Sequence, residues 1–178
     1  SMESLEKVTE AGKAEEKAMT EYLRGAWLEM RVKKSPKTAA KILQQNVKKN
    51  AGSTGASLSK LPLALSMADT GKDKKGLKLL MKDVSGTAQE KMKGALRVAH
   101  FLGQQKGKPS LKVLRKLETT VLDSDPAAGA LLSSLSGLFL KAGNEKKALE
   151  LAQKAQSLFP FHPWYAEQTQ QLKASLEP

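Results

Sequence analysis

The chain has 178 residues, of which 30 are Lys or Arg and 18 are Asp or Glu, so its formal net charge is +12. It contains no cysteine, which excludes disulfide frameworks, thiolate zinc sites and cysteine nucleophiles. Apolar residues make up 40% of the chain but aromatic residues only 4%. We therefore expect an ordered protein whose core is built from aliphatic side chains and alanine.

The positive charge is concentrated in the middle of the sequence. Residues 31–120 hold 21 basic and 5 acidic side chains, whereas residues 1–30 and 121–178 are both slightly acidic. Of the 30 basic residues, 26 are lysines, which lack the planar fork with which arginine binds phosphates and base edges. This composition favours salt-sensitive attraction to an acidic partner over base-specific recognition of nucleic acid.

Taken in chain order, the sequence predicts short helices separated by clusters of glycine, proline and small polar residues. Valine and isoleucine are sparse and no segment alternates with a period of two, so we expect no sheet. The stretch from Gly52 to Ser59, GSTGASLS, is predicted to be a flexible exposed loop. The predicted units are four helix pairs and a closing helix, at about residues 5–50, 57–84, 87–122, 126–160 and 163–176.

Two rows of residues recur with one common period. Short related cores in the second helix of each pair begin 37, 34 and 38 residues apart, at Ala39, Gly76, Ser110 and Ala148. A row of large apolar residues in the first helices keeps the same spacing, at Met30, Met67, Phe101 and Phe139. Two rows with one period predict an all-α solenoid of four stacked helix–turn–helix units in a single domain of residues 1–178.

In the last unit, apolar and small residues follow a spacing in which each has a packing role. They lie at steps of 3, 4, 4, 5, 7 and 5, at Leu132, Leu135, Phe139, Gly143, Ala148, Ala155 and Pro160. We expect the first three to form a stripe that faces the partner helix. We also expect Gly143 to end the first helix in a left-handed turn and Asn144 to cap the second helix.

This pattern resembles the tetratricopeptide repeat (TPR), a unit of about 34 residues that has large, aromatic, glycine, alanine and proline residues at those steps. The sequence departs from the family at Ser136, where glycine is usual, and at Ala152, where a large side chain is usual. The three earlier units fit the pattern only loosely. The resemblance implies a TPR-like α-solenoid.

The resemblance also implies a partner-binding groove, because the first helix of each pair lines the concave side of such a solenoid. In the last unit, the residues at these positions are Ala130, Ser133, Gly137, Leu140 and Lys141. Most of them are small, so they would leave room for an extended peptide or a helix of another protein. The family members that clamp a C-terminal carboxylate use Lys and Asn side chains where Ser133 and Gly137 stand here, so that mode of binding is not expected.

A second candidate surface consists of lysines around two equivalent inter-helix turns, one repeat apart. The two sets are Lys72, Lys74, Lys75 and Lys78, and Lys106, Lys108, Lys112 and Lys116. Equivalent turns stack along one edge of a solenoid, so the sequence predicts a basic edge. This edge either contacts an acidic protein, nucleic acid or anionic lipid headgroups, or is a solvated surface that maintains solubility.

Half of the aromatic residues lie within seven positions near the end of the chain, at Phe159, Phe161, Trp164 and Tyr165. One interpretation is that they seal the end of the solenoid under the closing helix. The other is that they form an exposed aromatic anchor for a partner.

Signals for an active site are weak throughout the sequence. Neither of the two histidines, His100 and His162, has a second histidine at metal-ligand spacing, and the acidic residues of the basic segment are scattered. We therefore expect no enzyme, no metal and no cofactor. The longest uncharged run, from Pro126 to Leu140, is shorter than the about 20 apolar residues of a membrane-spanning helix, so we expect no membrane span.

These observations predict a non-enzymatic protein–protein interaction module that acts as an adaptor within a larger complex. The groove would bind a peptide or partner domain, and the lysine-rich edge would steer an acidic partner. The alternative is a scaffold for RNA or ribonucleoprotein, which would make weak nucleic-acid contacts through the basic region 31–120. We expect a cytoplasmic protein; because the sequence opens on Ser1-Met2, a removed upstream signal or anchor is the alternative.

Overall fold

The computed structural model describes residues 2–27 and 35–176, with side chains described from residue 7 onward. These residues form α-helices and connecting turns without any strand, which confirms the prediction of an all-α protein. Met30 of the large apolar row, and residues 31–34 of the basic segment, lie outside the described residues. The chain divides into two compact units, Ser1–Leu80 and Met81–Pro178. The TPR-like stacking of the helix pairs stays a prediction.

The first unit is built from α1 (Met2–Trp27), α2 (Pro36–Lys49), α3 (Thr54–Asp69) and α4 (Asp73–Met81), the last of which ends one residue beyond the unit. Helices α1, α2 and α3 pack against one another. Their core contains Ala39, Leu43 and Leu63, and Met67 and Leu79 pack against it. This core is aliphatic, as the composition predicts.

The predicted flexible loop, Gly52 to Ser59, is helical after its first two residues, so this prediction was wrong. The Ser53 hydroxyl caps α3 by accepting a hydrogen bond from the Ala56 N–H at 3.1 Å. Gly55 lies so close to α1 that a Cβ atom there would overlap the backbone of Ala18. The small residues of this stretch therefore allow two helix backbones to approach each other.

The second unit contains α5 (Ala88–Gln104), α6 (Leu111–Glu118), α7 (Ala128–Lys141), α8 (Glu145–Leu158) and α9 (Pro163–Leu176). Helix α7 packs against each of the other four helices. The residues of its predicted apolar stripe, Leu132, Leu135 and Phe139, each expose no more than 1% of their surface. The closing helix has the predicted bounds.

The turn between α7 and α8 has the predicted local structure. Gly143 has a φ of +85°, in the left-handed region, and ends α7. The Asn144 side chain caps α8 by accepting a hydrogen bond from the Lys147 N–H at 3.2 Å. Ser136 is fully buried and donates a hydrogen bond from its hydroxyl to the Ala148 carbonyl oxygen at 2.8 Å. A serine thus replaces the family's usual glycine without leaving a polar atom unsatisfied.

Candidate functional site

The five predicted groove residues lie along the outward side of α7. Their spacing of three and four residues brings them onto one face of the helix. Ala130, Gly137 and Leu140 are exposed, whereas Ser133 and Lys141 are half-buried. Leu140 exposes 40% of its surface, and no atom of a neighbouring element lies within 4 Å of where a Gly137 Cβ would stand. This side of α7 is therefore a shallow, open surface of mostly small side chains.

Helix α9 borders this surface at Ser133. The Ser133 hydroxyl donates a hydrogen bond to Gln168 Oε1 at 2.8 Å and accepts one from Trp164 Nε1 at 3.2 Å. Gln168 Nε2 also donates to the Ser133 carbonyl oxygen at 3.2 Å. The predicted groove residue is thus fixed by two side chains that the sequence analysis did not assign to the groove. The signal for Trp164 was present in the aromatic cluster, whereas nothing in the sequence singled out Gln168.

The end of α5 borders the same surface on the other side. The Lys141 ammonium group donates a hydrogen bond to the carbonyl oxygen of Gln105, the residue that follows α5. This contact satisfies one of the terminal carbonyl groups of α5 and places a positive charge at its negative end. Lys141 therefore joins α7 to α5, and its charge is already engaged within the second unit.

The four aromatic residues around the start of α9 divide into two pairs. Tyr165 is 8% exposed, and its ring lies 6.1 Å from the Phe159 ring between centroids. His162 stacks on Tyr165 with a centroid distance of 4.2 Å, so this histidine has a packing role. Phe161 and Trp164, by contrast, expose 97% and 53% of their surfaces. The packing of Tyr165 against Phe159 therefore favours the sealing role, and the exposure of Phe161 and Trp164 favours the role of an anchor for a partner.

All eight lysines of the predicted basic edge are exposed. In the first unit, Lys72 lies in the turn before α4 and three more lysines lie on α4. In the second unit, Lys106 and Lys108 lie in the turn between α5 and α6, and two more lysines lie on α6. Within the described part of the chain, none of the eight forms an ion pair. Each set presents unneutralised charge to solvent.

Among the ionisable groups of the described residues, two have shifted pKa values, and both act at helix ends. The backbone N–H of Thr87, and then its hydroxyl, donate to the Glu90 carboxylate and lower the pKa of Glu90. Hydrogen bonds to Glu118 at 2.6 Å and Glu150 at 2.7 Å raise the pKa of Lys147. The first group forms the capping box of α5, and the second joins α8 to the end of α6.

Among the residues described, no three His, Cys, Asp or Glu side chains come together as a possible metal site. His100 is exposed on α5. In the same part of the chain, every buried side-chain nitrogen and oxygen atom has a hydrogen-bond partner. The buried polar groups of these residues are therefore all satisfied within the fold.

Comparisons of the chain with family models, curated proteins and solved structures give no match. The likeness to the TPR family rests on the sequence pattern and stays a prediction. Across residues 2–27 and 35–176, no helix has the length and apolar character needed to cross a membrane.

Proposed function

We propose that the chain is a non-enzymatic protein–protein interaction module, an adaptor that holds a peptide or helix of a partner within a larger, cytoplasmic assembly. The observation that carries the proposal is the outward side of α7. It combines the open position at Gly137 with the half-exposed Leu140 and Trp164, whose indole is held at Ser133. Small residues beside a few exposed apolar and aromatic ones are the features that a protein surface needs to accept a partner's side chains.

The exposed lysines supply a second contribution to the same function. Charges that are not neutralised within their own unit attract an acidic partner over about one Debye length, about 8 Å at physiological ionic strength. This attraction raises the rate of encounter more than it lengthens the life of the complex. The lysine sets would therefore determine how fast an acidic partner arrives, and the α7 surface would determine how long it stays.

The test is affinity capture from native lysate with three forms of the full chain. The blocking variant is Gly137→Gln with Leu140→Glu, which fills the open position and adds a charge beside it. The matched control is Gly12→Gln, because Gly12 is also helical and open but lies on α1. We expect the wild type and the control to retain the same proteins and the blocking variant to lose them. If all three forms retain one set of proteins, the α7 surface is not the binding site.

The nucleic-acid alternative gives a different result in the same experiment. If the retained material disappears after nuclease treatment, the chain is a nucleic-acid scaffold and the proposal fails. Reversing Lys72, Lys74, Lys75 and Lys78 to Glu would then remove binding, and affinity would fall with salt by a log–log slope near −0.9 per neutralised phosphate of duplex DNA. Binding of a peptide to the α7 surface has a much flatter salt dependence.

A further inference from the structure

A cleft of about 390 Å³ lies between α1 and α2 in the first unit, and its lining includes no residue of the predicted groove or basic edge. One side is formed by a stripe of α1 and the other by a stripe of α2. The α1 residues are Lys17, Glu21 and Arg24, and the α2 side, continuing into the residue after that helix, consists of Thr38, Lys41, Ile42, Gln45, Asn46, Lys49 and Asn50. We call this cleft the α1–α2 furrow.

The furrow has an excess of positive charge. Of the described residues that line it, four are cationic, two from each helix, and one, Glu21, is acidic. The cations, Lys17, Arg24, Lys41 and Lys49, are all exposed. Within the described residues, none of them lies within ion-pair distance of a carboxylate. Their charges are therefore available to a ligand.

The floor of the furrow is held in place by Asn46, which is 1% exposed. Its amide nitrogen donates to the Ala18 carbonyl oxygen of α1 at 2.8 Å and to the Ser59 hydroxyl of α3 at 2.9 Å. Its amide oxygen accepts a hydrogen bond from Asn50 at 2.6 Å. Because the bond from Asn46 to Ala18 joins α2 directly to α1, the two cationic stripes are held at a fixed separation before any ligand arrives.

We propose that the α1–α2 furrow binds an extended acidic segment of a partner protein. Lys41 and Lys49 are eight residues apart on one helix, which corresponds to about 12 Å along its axis. Alternate side chains of an extended peptide are about 6.6 Å apart on one face, so two carboxylates four residues apart match this separation. Thr38 and Gln45 lie beside the cations and offer further hydrogen-bond donors to carboxylate oxygens.

The lining favours a peptide over nucleic acid. Proteins bind single strands by combining a basic groove with aromatic side chains on which bases stack. Among the described residues that line the furrow, none is aromatic and Arg24 is the one guanidinium group. Carboxylates, by contrast, need only the point charges and donors that are present. The furrow and the α7 surface share no residue, so each proposal can fail without the other.

The experiment measures binding of a fluorescein-labelled peptide of about eight residues with alternating Glu and Ser, an extended segment that would span the furrow. Fluorescence anisotropy at low salt compares the full chain with Lys41→Glu/Lys49→Glu and with Lys37→Glu/Lys48→Glu. Both variants change the charge of α2 equally, but Lys37 and Lys48 do not line the furrow. We expect the first variant to bind at least about tenfold more weakly and the second to bind like the wild type.

The Glu21→Gln variant should change the affinity for the peptide in the opposite direction. Removing the negative charge of Glu21 from the lining should raise affinity for the peptide about two- to fivefold. The Gly137→Gln/Leu140→Glu variant of the α7 surface should leave it unchanged. The proposal is overturned if the peptide does not bind, if both double lysine variants weaken binding equally, or if a single-stranded oligonucleotide of equal charge binds more tightly through Lys41 and Lys49. A gain with Glu21→Gln also shows that the effect does not come from misfolding.

Discussion

Asn46 and Ser136 are buried polar residues that join helices by hydrogen bonds. Asn46 bonds to α1, α3 and its own neighbour Asn50, and Ser136 bonds from α7 to the Ala148 carbonyl of α8. A buried polar group that makes all its hydrogen bonds destabilises the folded state little. When its partner is removed, the group that remains buried is unsatisfied, and its desolvation then lowers the free energy of unfolding. Each of these side chains therefore favours one arrangement of the helices around it.

Replacing Asn46 by alanine should destabilise the first unit by about 2–3 kcal/mol, because the Ala18 carbonyl loses its side-chain donor and a small cavity opens. Urea unfolding followed by circular dichroism measures the loss. The neighbouring exposed residue provides the control, since Gln45→Ala should change the free energy of unfolding by no more than about 0.5 kcal/mol. Equal losses for the two variants would contradict a structural role for the amide.

Glu90 should titrate below its ordinary pKa of 4.5, because hydrogen bonds from Thr87 stabilise its charged form. The stabilisation that it gives α5 is therefore complete above that ordinary value and is lost as the pH falls through the lower value of the folded state. Carboxyl chemical shifts recorded by NMR against pH measure the midpoint.

The cause of the shift is tested by comparing the Glu90 midpoint of the wild type with that of a Thr87→Pro variant. Proline lacks the N–H that makes the largest contribution, and the Thr87 φ of −64° already suits it. The Glu90 midpoint should move up toward its ordinary value in this variant. An unchanged midpoint would mean that the capping box does not cause the shift.

At the scale of residues, local signals could be predicted from the sequence and distant partners could not. Gly143 and Asn144 were assigned correctly because a left-handed turn and a helix cap depend on residues a few positions away. The bonds from Trp164 and Gln168 to Ser133 join positions more than thirty residues apart. No spacing rule predicts them, because they depend on how α9 lies against α7.

At the scale of helices, the start of α3 departs from the sequence prediction, because it is helical where a flexible loop is expected. Glycine and serine are read as flexible in a sequence because they are poor helix formers and tolerate many backbone angles. In α3 they serve instead to bring two backbones together, and tertiary packing outweighs their low helix propensity. A single sequence does not distinguish these two uses of small residues.

Two glycine-to-alanine changes should have opposite effects on stability. Gly55→Ala places a methyl group against the Ala18 backbone and should cost about 1–3 kcal/mol through overpacking. Gly137→Ala meets no neighbouring atom and should stabilise α7 by about 0.5–1 kcal/mol, because alanine loses less backbone entropy on folding. Thermal unfolding of the two variants beside the wild type tests both signs. A loss at Gly137 would show that the α7 surface is covered in the free protein.

At the scale of the whole chain, basic residues outnumber acidic ones in both units, which the total charge of +12 does not show. Exposed lysines occur in both units, and the α1–α2 furrow adds a cationic site that no repeat pattern predicts. The sequence does not predict the furrow, because its charged residues come from two helices and no spacing rule relates positions on α1 to positions on α2. Two statements stay predictions. One is that the two lysine sets form a single edge, and the other is that the helix pairs stack as in TPR proteins.

Residues 81–178 should fold without the first unit, because they contain a buried core of their own around α7. Circular dichroism should show helix, and urea should unfold the fragment in one cooperative transition. A fragment of residues 81–141, which lacks α8 and α9, is the control and should remain largely unfolded because the apolar stripe of α7 loses its cover. An unstructured 81–178 fragment would show that its core depends on the first unit.

The hydrogen bond between the Trp164 indole and Ser133 also gives the molecule a built-in optical probe. The chain has two tryptophans, and the other, Trp27, lies at the end of α1 in the first unit. In a Trp27→Phe protein, all tryptophan emission would come from a ring that is 53% exposed beside the α7 surface. A partner that covers this surface would remove water from the indole and shift its emission to shorter wavelength. Binding there can thus be followed on the unlabelled protein.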